Sequence, residues 1–122
     1  MKNNIVLEKT YAFAIRMVKC YKHLITEQKE FVLSKQLLKS GTSIGANVEE
    51  AIGGQSDRDF FAKMTIAYKE ARETNYWLRL LRDTEFLEEK IVASLLSDSE
   101  EILKLIGSIL KTMKTKKLGI DN

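Results

Sequence analysis

No proline interrupts this chain, and only six glycines do. A sheet of many short strands needs frequent Gly, Pro and Asn at its turns, so their scarcity argues against a β architecture and for long helices. A single cysteine, Cys20, cannot close an internal disulfide; it falls on an apolar helical stripe, where a buried, reduced thiol fits a cytoplasmic protein. No apolar run approaches the roughly 20 residues needed to span a bilayer, and the start Met1-Lys-Asn-Asn-Ile-Val-Leu-Glu8 lacks the apolar stretch of a signal peptide. The expectation is a soluble protein with no membrane role.

The lone histidine, His23, removes most metal and acid–base chemistry from consideration. Di-iron bundles need Glu-x-x-His pairs on two helices, which one histidine cannot supply, and Glu70-x-x-Glu73 by itself is common on solvated faces. Cys20 and His23 stand three apart, but no acid lies beside them to orient an imidazole. Gly53-Gly54-Gln-Ser has neither the lysine nor the spacing of a phosphate-binding loop. No catalytic set, cofactor site or metal site is expected.

What the chain does have is helical rhythm. At 122 residues it is about one domain's worth and, if compact, buries roughly 65 to 70% of its unfolded surface. From about Asn4 to Ile25, Val6, Thr10, Phe13, Met17, Cys20 and Leu24 recur at four-three spacing, and Leu7, Tyr11, Ala14, Val18, Tyr21 and Ile25 repeat the pattern one place on. Two such stripes predict a wide buried face that includes Tyr11. A second helix, about Lys29 to Ile52, is marked by Leu37, Gly41, Ile44, Val48 and Ala51, and Gly53-Gly54 is expected to stop it in the left-handed conformation.

Ser56 and Asp59 form a capping-box pattern before a third helix, about 57 to 83, with Phe60, Met64, Ala67, Ala71, Thr74, Leu78 and Leu81 on one stripe. A fourth runs from about Glu88 to Lys114, and the polar tail 115–122 is expected to fray. Phe31 and Phe86, beside the connections, should cover the ends. Short connections make each helix return alongside its predecessor, so the expected fold is all-α, an antiparallel up-down-up-down four-helix bundle in one domain.

Two patterns exceed what a bundle needs. On the second helix Gln36, Ser40, Ser43, Asn47 and Glu50 recur beside the apolar stripe, and the third answers with Glu70, Glu73, Tyr76 and Trp77, flanked by Lys69 and Arg72. This polar seam reads in three ways: as a network satisfied within the bundle, as a face for another copy of the chain, or as a ligand site. Charge is the second pattern. The chain holds 20 Lys and Arg against 17 Asp and Glu, for a net +3, and the excess gathers at the ends: Lys2, Lys9, Arg16, Lys19 and Lys22 against Glu8, then Lys111, Lys114, Lys116 and Lys117 with no acid. Lys9 to Lys22 and the C-terminal lysines are therefore candidate nucleic-acid contacts, the alternative being a solvated face.

The segments Phe13-Ala14, Gln36-Leu-Leu, Ser43-Ile-Gly-Ala-Asn-Val-Glu-Glu-Ala51, Asp59-Phe60, Ile66-Ala67, Lys69-Glu70-Ala71, Glu73-Thr74 and Tyr76-Trp77-Leu78 resemble the bacterial four-helix-bundle family encoded in intervening sequences of 23S rRNA genes. The likeness extends over about Ile5 to Lys114. It implies a homopentamer around a central channel, without assigned enzymatic activity, and an association with nucleic acid. The same segments are similar to accessory variability proteins of diversity-generating retroelements, whose basic pentamers engage a reverse transcriptase and RNA. The expectation is a non-enzymatic, self-associating binding or scaffolding protein whose partner is RNA or DNA, with a protein-directed adaptor as the alternative and a carboxylate metal site at Glu50, Glu70 and Glu73 as a third reading.

Overall fold

The computed structural model describes the backbone of residues 2–121 and the side chains of residues 5–116. Four helices make up the fold: α1 (Lys2–Thr26), α2 (Leu33–Ile52), α3 (Asp57–Asp83) and α4 (Glu89–Asp121). They form a ring in which each packs on its sequence neighbour and α4 returns to α1. The α1–α2 and α2–α3 seams are broad, and the α4–α1 seam is the thinnest. This is the antiparallel four-helix bundle expected from the pattern.

One stripe per helix fills the core. Val6, Phe13, Met17 and Leu24 from α1 meet Leu37, Ile44 and Val48 from α2, Met64, Leu78 and Leu81 from α3, and Val92, Ile102 and Ile106 from α4. Each large side chain removed from water there contributes about 1.5–3 kcal/mol. The second stripe of α1 behaves differently from expectation. Leu7, Ala14, Tyr21 and Ile25 are half-buried, Val18 is exposed, and Tyr11 is 62% exposed rather than part of the core. A stripe starting one residue later is rotated by about 100°. That rotation carries it past the α2 seam and away from α4, so only its near edge, Leu7, Ala14, Tyr21 and Ile25, is partly covered.

Glycine sets the tightness of the α1–α2 seam. A Cβ on Gly45 would stand 3.2 Å from the Thr10 carbonyl oxygen, and one on Gly41 would run into Met17, 2.6 Å from its Sδ. One turn apart on α2, the two glycines let the backbones approach where any larger residue would separate them. Thr10 itself is fully buried and satisfies its hydroxyl by donating to the Val6 carbonyl at 2.7 Å.

The helix ends show how sequence signals became geometry. Ser56 caps α3 as expected, its Oγ accepting from the Asp59 amide at 3.1 Å. Gly53-Gly54 does stop α2 at Ile52, but neither glycine has a positive φ; Gly53 sits at φ −81°, ψ 0° and its amide bonds back to Glu49. The left-handed positions are Lys29 (φ 55°) and Glu85 (φ 66°). After Glu85, the Phe86 amide reaches the Leu81 carbonyl at 2.9 Å, which closes α3 in a Schellman-like turn.

Lys29 has the larger consequence. It turns the chain out of α1, so α2 begins at Leu33 rather than near Lys29, and Glu30 is left facing the new helix start. Its carboxylate accepts from the amides of Leu33 at 3.0 Å and Ser34 at 2.6 Å, with Val32 at 3.3 Å. At the far end of the bundle α4 continues to Asp121, past the expected Lys114; the side chains of the tail from residue 117 on lie outside the described residues. Phe86 is half-buried against the core as expected, whereas Phe31, 55% exposed, does not cover an end.

Two outcomes follow. Gly41→Ala, despite the better helix propensity of alanine, lowers stability by about 1–2 kcal/mol, because its Cβ would stand 2.6 Å from the Sδ of fully buried Met17, which must shift within the core; urea unfolding measures it. Glu30→Ala removes a cap and lowers stability at neutral pH by about 1 kcal/mol. Partial burial alone would raise the Glu30 carboxyl, but the backbone amides of Leu33, Ser34 and Val32 outweigh it and hold it below the ordinary 4.5. The depressed value means the contribution is present above that pH and is lost as pH falls through the folded value, so the difference between variant and wild type narrows in acid.

Candidate functional site

The polar seam resolves into short, local pairings. Ser40 on α2 is 1% exposed, and its Oγ lies 2.9 Å from Thr74 Oγ1 on α3, which in turn is 2.8 Å from the Glu70 carbonyl oxygen. Thr74, read from the pattern as an apolar-stripe residue, is thus the partner that makes a buried serine tolerable. Half-buried Asn47 turns back on its own helix, its Nδ2 donating to the Ser43 carbonyl at 2.9 Å and to Ser43 Oγ at 3.0 Å. Exposed Glu50 pairs with Lys63 of α3 at 2.9 Å. Gln36 is exposed.

On α3, Trp77 is half-buried against the core and its Nε1 donates to Glu73 Oε2 at 3.1 Å. Tyr76, 49% exposed, meets Trp77 edge to face at 5.0 Å. Burial and then the neighbouring Glu73 charge push the Glu70 carboxyl above its ordinary value, with Lys69 and Lys39 pulling the other way. Glu50, Glu70 and Glu73 do not converge: one faces Lys63, one is held by an indole, and no three His, Cys, Asp or Glu side chains group together among the described residues. Cys20 is buried, and desolvation pushes its thiol up to about 11 against the smaller pull of Arg16. A thiol that stays protonated at neutral pH is a poor nucleophile.

The candidate basic residues divide three ways. Arg16 Nη1 lies 2.6 Å from Asp98 and its Nη2 3.1 Å from Ser94 Oγ, while Lys9 lies 3.2 Å from Glu101. These two cations bridge the thin α1–α4 seam, each already facing an acid of α4. Lys19 and Lys22 are exposed on α1, and Lys111, Lys114 and Lys116 on α4; the Lys117 side chain lies outside the described residues. Because α1 and α4 run antiparallel, with Lys9 level with Glu101 and Arg16 level with Asp98, Lys19 and Lys22 sit towards the start of α4. From there to Lys111 is roughly 25–30 Å along the bundle at the helical rise. The structure does not bring these lysines together into one patch.

It does bring Lys69 and Arg72, read from the sequence as flanking groups, together with Arg79, which the sequence reading did not single out. On the outer face of α3, with Leu103 of α4 at its edge, lies an open groove of about 610 Å³ lined by Lys69, Arg72, Glu73, Tyr76 and Arg79. The signal was visible as a stripe at three-four-three spacing along α3, but its pairing with α4 requires the helix register. Lys69, Arg72 and Arg79 take part in none of the ion pairs among the described residues. Arg79 is aimed rather than loose: its Nε donates to Asn75 Oδ1 at 2.9 Å, Asn75 Nδ2 donates to buried Ser99 Oγ of α4 at 3.4 Å, and the guanidinium stands 5.9 Å from the centre of the Tyr76 ring.

No helix among the described residues is long and apolar enough to cross a membrane. Among curated proteins none matches the chain. Among solved structures, a protein of unknown function from the S23 ribosomal protein family of Bacteroides thetaiotaomicron is 55% identical, with a TM-score of 0.89 over 91% of this chain and 99% of that one. The sequence pattern of the 23S rRNA-intervening sequence proteins matches residues 2–108, nearly all of the bundle. The chain belongs to the 23S rRNA-intervening sequence protein family.

Proposed function

We propose that this protein is a non-enzymatic, cytoplasmic homo-oligomer, a pentamer by its resemblance to the family, that acts as a binding scaffold for RNA. The observation that carries the self-association is the outer strip of α1. Tyr11, Ile15 and Val18, 62%, 44% and 38% exposed, follow one another at helical spacing beside the half-buried Leu7, Ala14 and Tyr21. A strip of large apolar groups left in water is an interaction surface in a soluble protein, and a second copy of the chain is the occupant that the resemblance supports.

The RNA reading is supported by charge and by the family's tie to ribosomal RNA genes. A protomer of +3 repeated five times makes an assembly of about +15, which attracts phosphate backbones through counterion release with little base selectivity. The seam pairings have a bearing here too. Ser40–Thr74, Ser43–Asn47 and Glu50–Lys63 are each satisfied within the protomer, so the seam needs no second copy to complete it, which favours α1 as the contact surface. The commitment of Lys9 and Arg16 to acids of α4 favours the alternative, an adaptor for another polypeptide, to that extent.

Light scattering of the purified protein should give a mass several times 14.0 kDa, and Tyr11→Glu with Val18→Glu should reduce it to that of one chain while far-ultraviolet circular dichroism stays helical. Wild type should retain mixed-sequence RNA at low salt, and its affinity should fall about tenfold or more on raising salt to the physiological range. A monomeric wild-type protein defeats the scaffold reading; an oligomer that ignores RNA leaves the adaptor in its place.

A further inference from the structure

We propose that the α3–α4 groove is a binding site for single-stranded RNA, with Lys69, Arg72 and Arg79 holding phosphates and Tyr76 offering a face to a base. The inference rests on the RNA reading above and goes beyond it by assigning the site to residues other than the lysines of α1 and of the C-terminal end.

Three features of the groove fit that ligand. First, its cations are available: Lys69 and Arg72 are exposed and, like Arg79, are absent from the ion pairs among the described residues. The lining acid, Glu73, has its carboxylate engaged by the Trp77 indole at 3.1 Å. Lys9, Arg16 and Lys63 face acids instead, and the exposed lysines of α1 and of the C-terminal end, though also outside the ion pairs among the described residues, lie far apart along the bundle. Second, the groove alternates charge with aromatic and apolar surface. Tyr68 and Tyr76 line it with Leu103, a composition suited to unpaired bases, which have free π-faces, and of little use to a duplex, whose bases are stacked away inside.

Third, one phosphate ligand is organised in advance. Arg79 Nε donates to Asn75 Oδ1 at 2.9 Å, and Asn75 Nδ2 makes a longer contact, 3.4 Å, with buried Ser99 Oγ, so the exposed guanidinium is oriented by its inner nitrogen. Its two terminal nitrogens are left for bidentate contact with a phosphate. From Lys69 to Arg79 the stripe covers roughly 15 Å along α3 at the helical rise, enough for a short length of strand to follow.

The test is fluorescence anisotropy with a short labelled mixed-sequence single-stranded RNA at low salt, on the full chain in its native assembly. Arg72→Glu with Arg79→Glu should weaken binding by about tenfold or more. Lys114→Glu with Lys116→Glu, which changes net charge equally, should weaken it much less. Tyr76→Ala should lose about fivefold or more, and Asn75→Ala should weaken binding without any change of charge. Helicity and light-scattering mass should stay at wild-type values in all four. Equal losses in the two charge-reversed proteins, or competition by duplex RNA as effective as by single strand, would overturn the groove while leaving RNA association intact. Absence of binding by wild type would sink both.

Discussion

The close approach of α1 to α2 across Gly41 and Gly45 governs much of the rest of the molecule. A Cβ at either position meets Met17 or the Thr10 backbone, so the distance between these helices depends on the absence of two methyl groups. That distance seats Met17 and Phe13 deep in the core. On the other flank of α1 the α4–α1 seam is thin. The molecule closes it electrostatically, with Arg16 on Asp98 and Ser94 and Lys9 on Glu101. Exposed pairs of this kind contribute about 0–1 kcal/mol each, so they set the register of α4 more than they add to stability.

The exposed strip on α1 has a separate origin. At about 100° per residue Tyr11, Ile15 and Val18 stand roughly 90° or more beyond Thr10 and Met17, which meet the α2 glycines, and roughly 100° or more from Lys9 and Arg16, which meet α4. Neither neighbouring helix reaches that side of α1, and the three side chains remain in water. Buried polar groups follow the closely packed side of the bundle. Ser40 lies opposite Thr74 between the closely packed α2 and α3, where an unpaired hydroxyl would cost about 1–3 kcal/mol, and among the described residues no buried side-chain nitrogen or oxygen lacks a partner.

How much of this could be read from the chain depends on whether the cause was local. The stripe Val6, Thr10, Phe13, Met17, Cys20 and Leu24 is buried to the last residue, because burial at helical spacing is a property of one helix. The Ser56 cap is likewise local, spanning Ser56 to Asp59, and was legible. The start of α2 was not. Lys29 adopts a left-handed conformation normally associated with glycine, and Glu30 caps from outside the helix, an arrangement that periodicity cannot register. Tyr11 was misplaced because a stripe records amphipathicity without recording how many neighbours a helix has. The site fared worst, since its partners are remote: Arg16 meets Asp98 from the other end of the chain, and counting charges along α1 alone cannot reveal an acid on α4.

The pattern of engaged and unengaged charge has a further physical meaning. On α1 and α2, prominent charged groups near the helix seams are compensated within the fold: Lys9, Arg16 and Glu50 each have an opposite charge within salt-bridge distance, and Glu30 is consumed by a helix start. Along α3 from Lys69 to Arg79 no ion pair forms among the described residues, although Lys63 before that stretch and Arg82 after it are paired. Glu73 turns to Trp77, and Lys69, Arg72 and Arg79 remain beside two tyrosines. Random surface chemistry would not need Arg79 tethered through Asn75 to a buried serine, because a solvated guanidinium gains little from being aimed. Ordering a long side chain has an entropic cost of up to about 2 kcal/mol, and when that ordering is done before a ligand arrives, affinity rises by the amount that binding no longer has to supply. In a chain whose thiol is held protonated by burial and whose seam carboxylates do not converge, an organised cation on an aromatic groove is the surface feature that departs furthest from what folding alone requires.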